Sequence, residues 1–259
     1  GLSGWREPIT NEDLYDWEKA TSLLAAQAPL WEPGSAPGYH AITQGYLVGE
    51  VIRRVAGKTV GTVFREEIAG PLGADFHIGL PASEDARVAD LKPPADASIS
   101  ADPTLTDIKR VTLTNPGIDV SETRTRAWRG AEIPAAGGTG NARSVATIHT
   151  ILANGGMANG KRFMSEAGCR KALEEQIQGT DLILGIPVRY GLGFGLSGPM
   201  SPALNEHSMF WGGYGGSIAL IDMESHTTMS YAMNLMQGTT TGDMRAITLA
   251  MQAWQGLNA

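Results

Sequence analysis

Apolar residues recur at helical spacing along the first part of the chain. The pattern predicts helices over residues 10–28, 41–56 and 60–69, each followed by proline or glycine. A fourth helix is predicted over residues 140–156, which end in two glycines. Residues 81–134 are polar, contain prolines and show weak periodicity, so they predict long loops and short helices suited to wall a cleft.

The last part of the chain has the pattern of strands. Residues 189–198, 217–225 and 227–235 alternate or run apolar at strand length, and a short connection at His226 separates the last two. We therefore predict an antiparallel pair followed by a C-terminal helix over residues 242–256.

Helices followed by strands predict an α+β fold, in which helices flank an antiparallel sheet beside a mostly helical domain. We place the mostly helical domain at residues 1–165. The C-terminal part of the sheet domain is placed at residues 166–259.

Glycine is concentrated at the head of one apolar stretch. Four glycines occupy the six positions from Trp211 to Gly216, directly before the run Ser217 to Ile221. Glycine in or beside a strand costs stability, because it packs nothing and loses much backbone entropy on folding. We therefore expect another molecule to approach the backbone closely at this point.

Composition narrows the classes of partner. The chain has 259 residues, is 42% hydrophobic and carries 27 acidic against 20 basic residues, a formal net charge of −7. It contains no run of lysine or arginine that would follow a phosphate backbone, so we expect no nucleic acid partner. No apolar run reaches about 20 residues and the start lacks the pattern of a signal peptide. We therefore expect no membrane association and a cytoplasmic location.

The residue types that can bind a metal or a cofactor occur in this sequence without the spacing that such sites require. The single cysteine, Cys169, excludes an internal disulfide and is expected to be a buried small hydrophobe. The five histidines form neither an HExxH nor an HxH pattern, and no nucleotide-binding loop has the required context. The lipase sequence GxSxG does not occur. We therefore expect no metal and no cofactor.

Tyr39 is the first candidate for chemistry. It directly follows the turn sequence PGSAPG at the start of the second predicted helix, with His40 next to it and Ala41 beyond. From residue type alone, the side chain either staples the turn to the helix or faces a site.

Five segments, in order, resemble one family. WEPGSAPGYHAITQGYLVGEVIRRVAGK resembles the second signature of the serine β-lactamase-fold hydrolases, in the class C-like group that includes the family VIII carboxylesterases. There the tyrosine of a Tyr-x-Asn or variant motif precedes a helix. The other segments are FREEIAGPLGADFHIGLP, GGTGNARSVATIHTILANGG, YGLGFGL and FWGGYGGSIALID. The resemblance covers nearly the whole chain and implies a β-lactamase/transpeptidase-like fold.

The resemblance also implies a site. Trp211, Gly212 and Gly213 take the place of the third signature, Lys-Thr-Gly in β-lactamases, on a strand beside the nucleophile. Tyr214 would supply a backbone N–H to the oxyanion hole, and Tyr39 would move the proton. The bare backbone would then let a scissile carbonyl reach these N–H groups. His40 flanks the site, where it either contacts substrate or has a structural role.

The family's nucleophile is missing from this sequence. Its motif, Ser-x-x-Lys, occurs nowhere in the 259 residues, and the nearest imitation, Thr106 to Lys109, lies in the loop-rich middle after the tyrosine motif. We therefore expect the fold to be incomplete in this chain, and a second chain or an N-terminal segment to supply Ser-x-x-Lys. Its lysine would be the cation that a tyrosine needs to act as a base near pH 7.

Two departures from the family pattern point to the substrate. Trp211 replaces a lysine that would hold a carboxylate, and Ala41 replaces an asparagine that would bind an acylamino group. We predict a serine esterase that acts through an acyl-enzyme on short- to medium-chain carboxylic esters. The alternatives are an acyltransferase, a β-lactamase, a D-alanyl peptidase, or a non-catalytic binding protein of this fold. Aromatic candidates for the pocket wall, or for the core, are Phe210, Trp5, Trp31 and Trp128.

Overall fold

A computed structural model describes residues 1–95, 105–198, 201 and 205–257. In its first part the predicted helices form; two of them begin later than predicted, and the third begins at Val60 as predicted. The helix predicted over residues 10–28 divides into a 3-10 turn and helix α1, because Asp16 caps α1 by accepting a hydrogen bond from the Lys19 N–H. The elements are the 3-10 turn Glu12–Tyr15, α1 Trp17–Ala26, α2 Thr43–Ala56, α3 Val60–Phe64, a π-helical turn Arg65–Ala69 and α4 Gly70–Leu72.

The middle of the chain contains the short helices and loops that the sequence predicts, in the part that is described. The predicted helix 140–156 begins after Asn141, whose side chain accepts a hydrogen bond from the Ser144 N–H. The helices are a 3-10 turn Ala82–Arg87, α5 Asp107–Thr114, a 3-10 turn Val120–Arg124, α6 Arg126–Gly130 and α7 Ala142–Ala153. Two short pairs accompany them, β1 Phe76–His77 with β2 Thr139–Gly140, and β3 Met157–Ala158 with β4 Lys161–Arg162.

An antiparallel sheet follows in the last part of the chain. Its described strands have the order β10-β9-β8-β7-β6-β5, so that β10 and β5 are the two edges. The elements are α8 Glu166–Arg170, a 3-10 turn Lys171–Leu173, β5 Ile177–Thr180, β6 Pro187–Tyr190, β7 Gly195–Leu196, β8 Ser208–Gly212, β9 Ile218–Asp222, β10 Thr227–Tyr231 and α9 Met244–Leu257.

Two predicted strands are wrong in extent. The strand predicted over residues 189–198 is interrupted, because the Gly191 N–H donates to the Phe194 carbonyl and Gly193 has a φ of +84°. The chain therefore turns between β6 and β7. The strand predicted over residues 227–235 ends at Tyr231.

Helices cover both faces of the sheet. Ile218 and Leu220 of β9 pack against Ala250 and Trp254 of α9, whereas Ile221 packs on the other face with Ala153, the last residue of α7. Alternate residues of a strand point to opposite faces, so one strand serves both layers. Cys169 is fully buried in the cluster that contains Ala153 and Ile221, as predicted. The sheet and its helices thus form the predicted α+β arrangement.

A separate core lies in the helical part. Trp5 and Trp128 are 1% and 4% exposed and pack with Leu14, Leu24 and Tyr46. Two of the tryptophans considered for the pocket wall are therefore core residues. The division of the chain at residue 165 stays a prediction. Every helix within the described ranges is too short or too polar to cross a membrane.

Candidate active site

Tyr39 is held against the sheet by the loop between β5 and β6. Its backbone N–H donates a hydrogen bond of 3.2 Å to Oδ1 of Asp181, a residue 142 positions further along the chain. One residue beyond Asp181, the Leu182 N–H donates to the carbonyl of Pro37 at 2.9 Å. The predicted turn before α2 is therefore tied to the sheet domain.

Trp211 contacts the rings of two tyrosines. The ring centroids of Tyr39 and Trp211 are 5.4 Å apart, with the planes tilted by 38°. Tyr190 of β6 approaches Trp211 edge-on, with centroids 5.7 Å apart. The structure thus brings together the two aromatic residues, Tyr39 and Trp211, that the sequence analysis selected from distant parts of the chain.

The Tyr39 phenol does not ionise easily. Burial raises its pKa above the ordinary value near 10, and the nearby Asp181 carboxylate raises it too, while a hydrogen bond with the Trp211 side chain acts in the opposite direction. A neutral phenol is a poor base at pH 7. The site therefore needs a cation beside Tyr39 before this residue can accept a proton.

The turn after β8 presents a backbone donor. The Gly213 N–H donates to the Ser217 carbonyl at 2.8 Å, and the Gly216 N–H donates to the Gly213 carbonyl at 3.2 Å. The intervening Tyr214 N–H finds no acceptor among the described residues. Its side chain is 37% exposed, so the turn faces solvent. An unpaired N–H at the end of the Trp211 strand is the type of donor that stabilises an oxyanion.

Contacts within the chain explain two of the glycines between Trp211 and Ser217. A Cβ on Gly212 would overlap the backbone of Thr241, which lies just before α9. Gly216 has a φ of +121°, and a Cβ there would overlap the Asp243 carboxylate. These two glycines are therefore required by the approach of the chain's own segment to the turn. The close approach of a substrate, which we expected here, stays a prediction.

His40 is engaged by the backbone. Its Nε2 accepts a hydrogen bond from the Leu2 N–H at 3.2 Å, and its Nδ1 lies 2.8 Å from the Gly38 carbonyl. These partners require a neutral ring with the proton on Nδ1. Burial lowers the pKa of His40, which favours the same form, although the Gly38 carbonyl opposes this shift. The predicted contact between His40 and substrate stays a prediction.

The segment most similar to Ser-x-x-Lys, Thr106 to Lys109, forms the start of a helix. Thr106 is the N-cap of α5, and its Oγ1 accepts a hydrogen bond from the Lys109 N–H at 3.4 Å. This hydroxyl is therefore occupied by the backbone of its own helix.

Sequence reasoning missed Asp181 and Tyr190. The Tyr190 hydroxyl donates to Oδ2 of Asp181 at 3.0 Å, and Asp181 is only 1% exposed. The available signal was an acidic residue at the head of the apolar run DLILG, since a buried carboxylate needs hydrogen-bond donors around it. That signal does not show that the Asp181 carboxylate would accept a hydrogen bond from Tyr39, which lies far away in the sequence.

The chain matches the family described as Beta-lactamase over residues 1–252. A Mycobacterium tuberculosis protein, Esterase/beta-lactamase LipL, is 33% identical over 251 residues, which cover 90% of this chain and 56% of LipL. The chain thus spans little more than half the length of that relative.

Two solved structures are similar over 98% of this chain and 68% of their own. A family VIII carboxylesterase is 39% identical, with a TM-score of 0.91. A penicillin-binding protein homolog from Caulobacter crescentus is 35% identical, with a TM-score of 0.88. The resemblance seen in the sequence is thereby confirmed: the chain belongs to the beta-lactamase family.

Proposed function

We propose that this chain is the larger part of a serine esterase that works through an acyl-enzyme on short- to medium-chain carboxylic esters. One observation carries the proposal: the Tyr39 phenol lies against Trp211, at the strand end where the Tyr214 N–H has no acceptor among the described residues. A proton-transfer group and an oxyanion donor at one strand end are what acyl transfer needs.

The nucleophile comes from a serine outside this sequence, on a second chain or an N-terminal segment that carries Ser-x-x-Lys. Its oxygen bonds to the ester carbonyl carbon while its proton passes through Tyr39 and the lysine to the leaving alkoxide. The C–O bond to the alcohol then breaks and leaves an acyl-serine. A water molecule attacks this intermediate by the reverse proton path, which releases the acid and restores the serine.

The oxyanion is held by two backbone donors, the Tyr214 N–H and the N–H of the serine itself. Such a donor is commonly worth about 3 kcal/mol in the transition state. The position of the Tyr214 N–H supports this role. The turn that contains it is fixed by its own hydrogen bonds and by the segment before α9.

A neutral ester is the substrate that the site residues favour. The group that occupies the third signature is an indole, packed by two tyrosine rings, so it offers apolar surface where a carboxylate would need a cation. The similar proteins support this choice, since one is named a family VIII carboxylesterase and LipL is named an esterase/beta-lactamase.

The test is to treat the native preparation with a fluorophosphonate ester and to measure the denatured intact mass. We expect the adduct on a second chain, or on a longer chain that contains this sequence, together with hydrolysis of short nitrophenyl esters. An unmodified 259-residue species without esterase activity would overturn the proposal.

A non-catalytic binding protein of the same fold is the second candidate, and the absence of Ser-x-x-Lys from the 259 residues favours it. It predicts no adduct, and saturable binding of a peptide or a cell-wall fragment without turnover. The intact-mass experiment separates the two candidates.

We also propose a cytoplasmic location. The single cysteine is free and buried, so the described fold needs no oxidising compartment. Fractionation of the native cells, with an antibody against the chain, tests this location.

A further inference from the structure

Asp181 is a buried carboxylate whose stabilisation comes from hydrogen bonds. It occupies the loop between β5 and β6 and is 1% exposed. None of the described lysine, arginine or histidine side chains forms an ion pair with it. A buried charge without an opposite charge is costly unless several donors surround it. The hydrogen-bond donors around Asp181 must therefore offset that cost.

Two of its donors belong to its own loop. The N–H groups of Ile183 and Leu184 both donate to Oδ1 at 2.8 Å. They close a tight turn and fix the direction of the carboxylate. Ile183 is itself 3% exposed, which anchors this loop in the core.

The other two donors belong to the candidate site. The Tyr39 N–H donates to Oδ1 at 3.2 Å, and the Tyr190 hydroxyl donates to Oδ2 at 3.0 Å. The rings of these two tyrosines contact the same residue, Trp211, at interplanar angles of 38° and 61°. One carboxylate therefore holds both aromatic neighbours of Trp211, one by its backbone and one by its side chain.

We propose that Asp181 is a positioning residue, which fixes the backbone of Tyr39 and the ring of Tyr190 so that the Tyr39 phenol is held at Trp211. Its consequence for catalysis rests on the proposed function. Displacing a proton-transfer group by about 1 Å can cost about 100-fold in rate, so a fixed anchor is worth its burial.

The decisive variant is Asp181→Asn, which keeps the shape but offers Oδ1 as a weaker, uncharged acceptor and reverses the bond to Tyr190. Its matched control is Asp222→Asn. Asp222 is also buried, at 2% exposed, and accepts from the Glu224 N–H and the Trp254 indole, at the far end of β9 from the Trp211 strand end.

The first readout does not depend on esterase activity. The full protein is labelled with 3-fluorotyrosine, and the Tyr39 resonance is identified as the one that is missing in Tyr39→Phe. We expect Asp181→Asn to move the Tyr39 ¹⁹F resonance, because its ring lies beside the Trp211 indole, whereas Asp222→Asn leaves it in place. An unmoved Tyr39 resonance in Asp181→Asn overturns the proposal.

The second readout is kinetic, on a short nitrophenyl ester. We expect Asp181→Asn to lower kcat by about 10- to 100-fold with KM within about 3-fold, because proton transfer is impaired more than binding. A kcat equal to that of Asp222→Asn would overturn the proposal. If the wild-type protein hydrolyses no ester and the Tyr39 resonance still moves, the esterase proposal fails and the positioning role of Asp181 is supported.

Tyr190→Phe tests the same network if Asp181→Asn does not fold. It removes one of the four donors to Asp181 and keeps the ring against Trp211. We expect a smaller shift of the Tyr39 resonance in the folded variant. An unchanged Tyr39 resonance there overturns the proposal.

Discussion

At the scale of single residues, the Tyr39 hydroxyl is the group on which the proposed chemistry depends. Tyr39→Phe keeps the ring against Trp211 and removes only the proton-transfer group. We expect kcat of the complete enzyme to fall by about 10²- to 10⁴-fold while its unfolding temperature changes little. Steady-state hydrolysis of a nitrophenyl ester measures the first effect and thermal unfolding the second.

Tyr15→Phe is the control for this prediction. The Tyr15 hydroxyl donates to Glu122 Oε2 at 3.2 Å, in the helical part of the chain. Its loss is expected to leave kcat unchanged. A Tyr39→Phe enzyme as active as Tyr15→Phe would show that another group moves the proton.

Gly216 gives a second prediction, on stability. A Cβ at this position would overlap the Asp243 carboxylate and lie 2.9 Å from Arg245 Nη2, at a φ that side chains rarely adopt. We expect Gly216→Ala to lower the free energy of unfolding by about 2–4 kcal/mol, through overpacking and backbone strain. Denaturant unfolding measures the loss.

Gly57→Ala separates the two causes. Gly57 caps α2 with a φ of +64°, and no atom of the described residues lies within 4 Å of its Cβ position. It should therefore lose only about 1 kcal/mol, the cost of the backbone conformation. Equal losses in the two variants would mean that the contact with Asp243 is relieved at no cost.

The sequence was informative about residues whose neighbours lie nearby in the chain or in a known motif. Tyr39 and Trp211 were selected in this way, and the structure places them in contact. Asp181 was missed because its function depends on a hydrogen bond to a residue 142 positions away. A contact between residues so far apart in the sequence leaves no local pattern.

At the scale of elements, α1 and α2 are joined by a polar contact at the edge of their core. The Trp17 indole of α1 donates to Glu50 Oε2 of α2 at 2.8 Å, and Arg53 and Arg54 donate to the same carboxylate. These hydrogen bonds lower the pKa of Glu50 to about 2 from its ordinary 4.5, and the one from Arg53 contributes most.

This shift predicts a pH dependence of stability. A carboxyl whose folded pKa is lowered stabilises the protein above its unfolded pKa, and the contribution is lost as the pH falls from 4.5 through about 2. We expect Glu50→Gln to lower the free energy of unfolding by about 1–2 kcal/mol at pH 7, because the side chains of Arg53 and Arg54 are 39% and 74% exposed and solvent weakens their ion pairs. The difference between wild type and variant should shrink over that acid range. Urea unfolding at several pH values measures it.

Glu66→Gln is the control, since Glu66 pairs with Lys58 in solvent. We expect this variant to change stability far less than Glu50→Gln at pH 7. A Glu50→Gln difference that stays constant down to pH 2 would contradict the coupling.

The errors in predicted elements also have physical causes. Apolar periodicity locates α1, but the capping bond of Asp16 decides where it begins. Alternation runs through residues 189–198, yet the turn at Gly191 to Phe194 divides them. Periodicity reports which face is buried, whereas caps and turns set the ends of an element.

At the scale of the whole molecule, the two edges of the sheet differ in their surroundings. The β5 edge leads into the loop that holds Tyr39. Met229 and Tyr231 of β10 pack against the cluster that contains the buried residues of α9. This helix also exposes large apolar side chains to solvent: Met244, Leu249, Met251 and Leu257. Among the described strands β10 pairs with β9 alone, and an unpaired strand edge beside exposed apolar side chains is unfavourable for a protein in water. The order of strands that creates this edge could not be predicted from local patterns.

We expect the segment that carries Ser-x-x-Lys to cover this edge in the complete enzyme. The 56% share of LipL that the chain matches leaves ample length for such a segment in that relative. Hydrogen exchange should then be slower at the β10 amides in the complete enzyme than in the 259-residue chain alone, since strand pairing protects amides. The β5 amides, on the opposite edge, serve as the internal control and should exchange alike in both forms. Equal exchange at β10 would mean that the missing nucleophile reaches Tyr39 from another side, with the β10 edge left open to solvent.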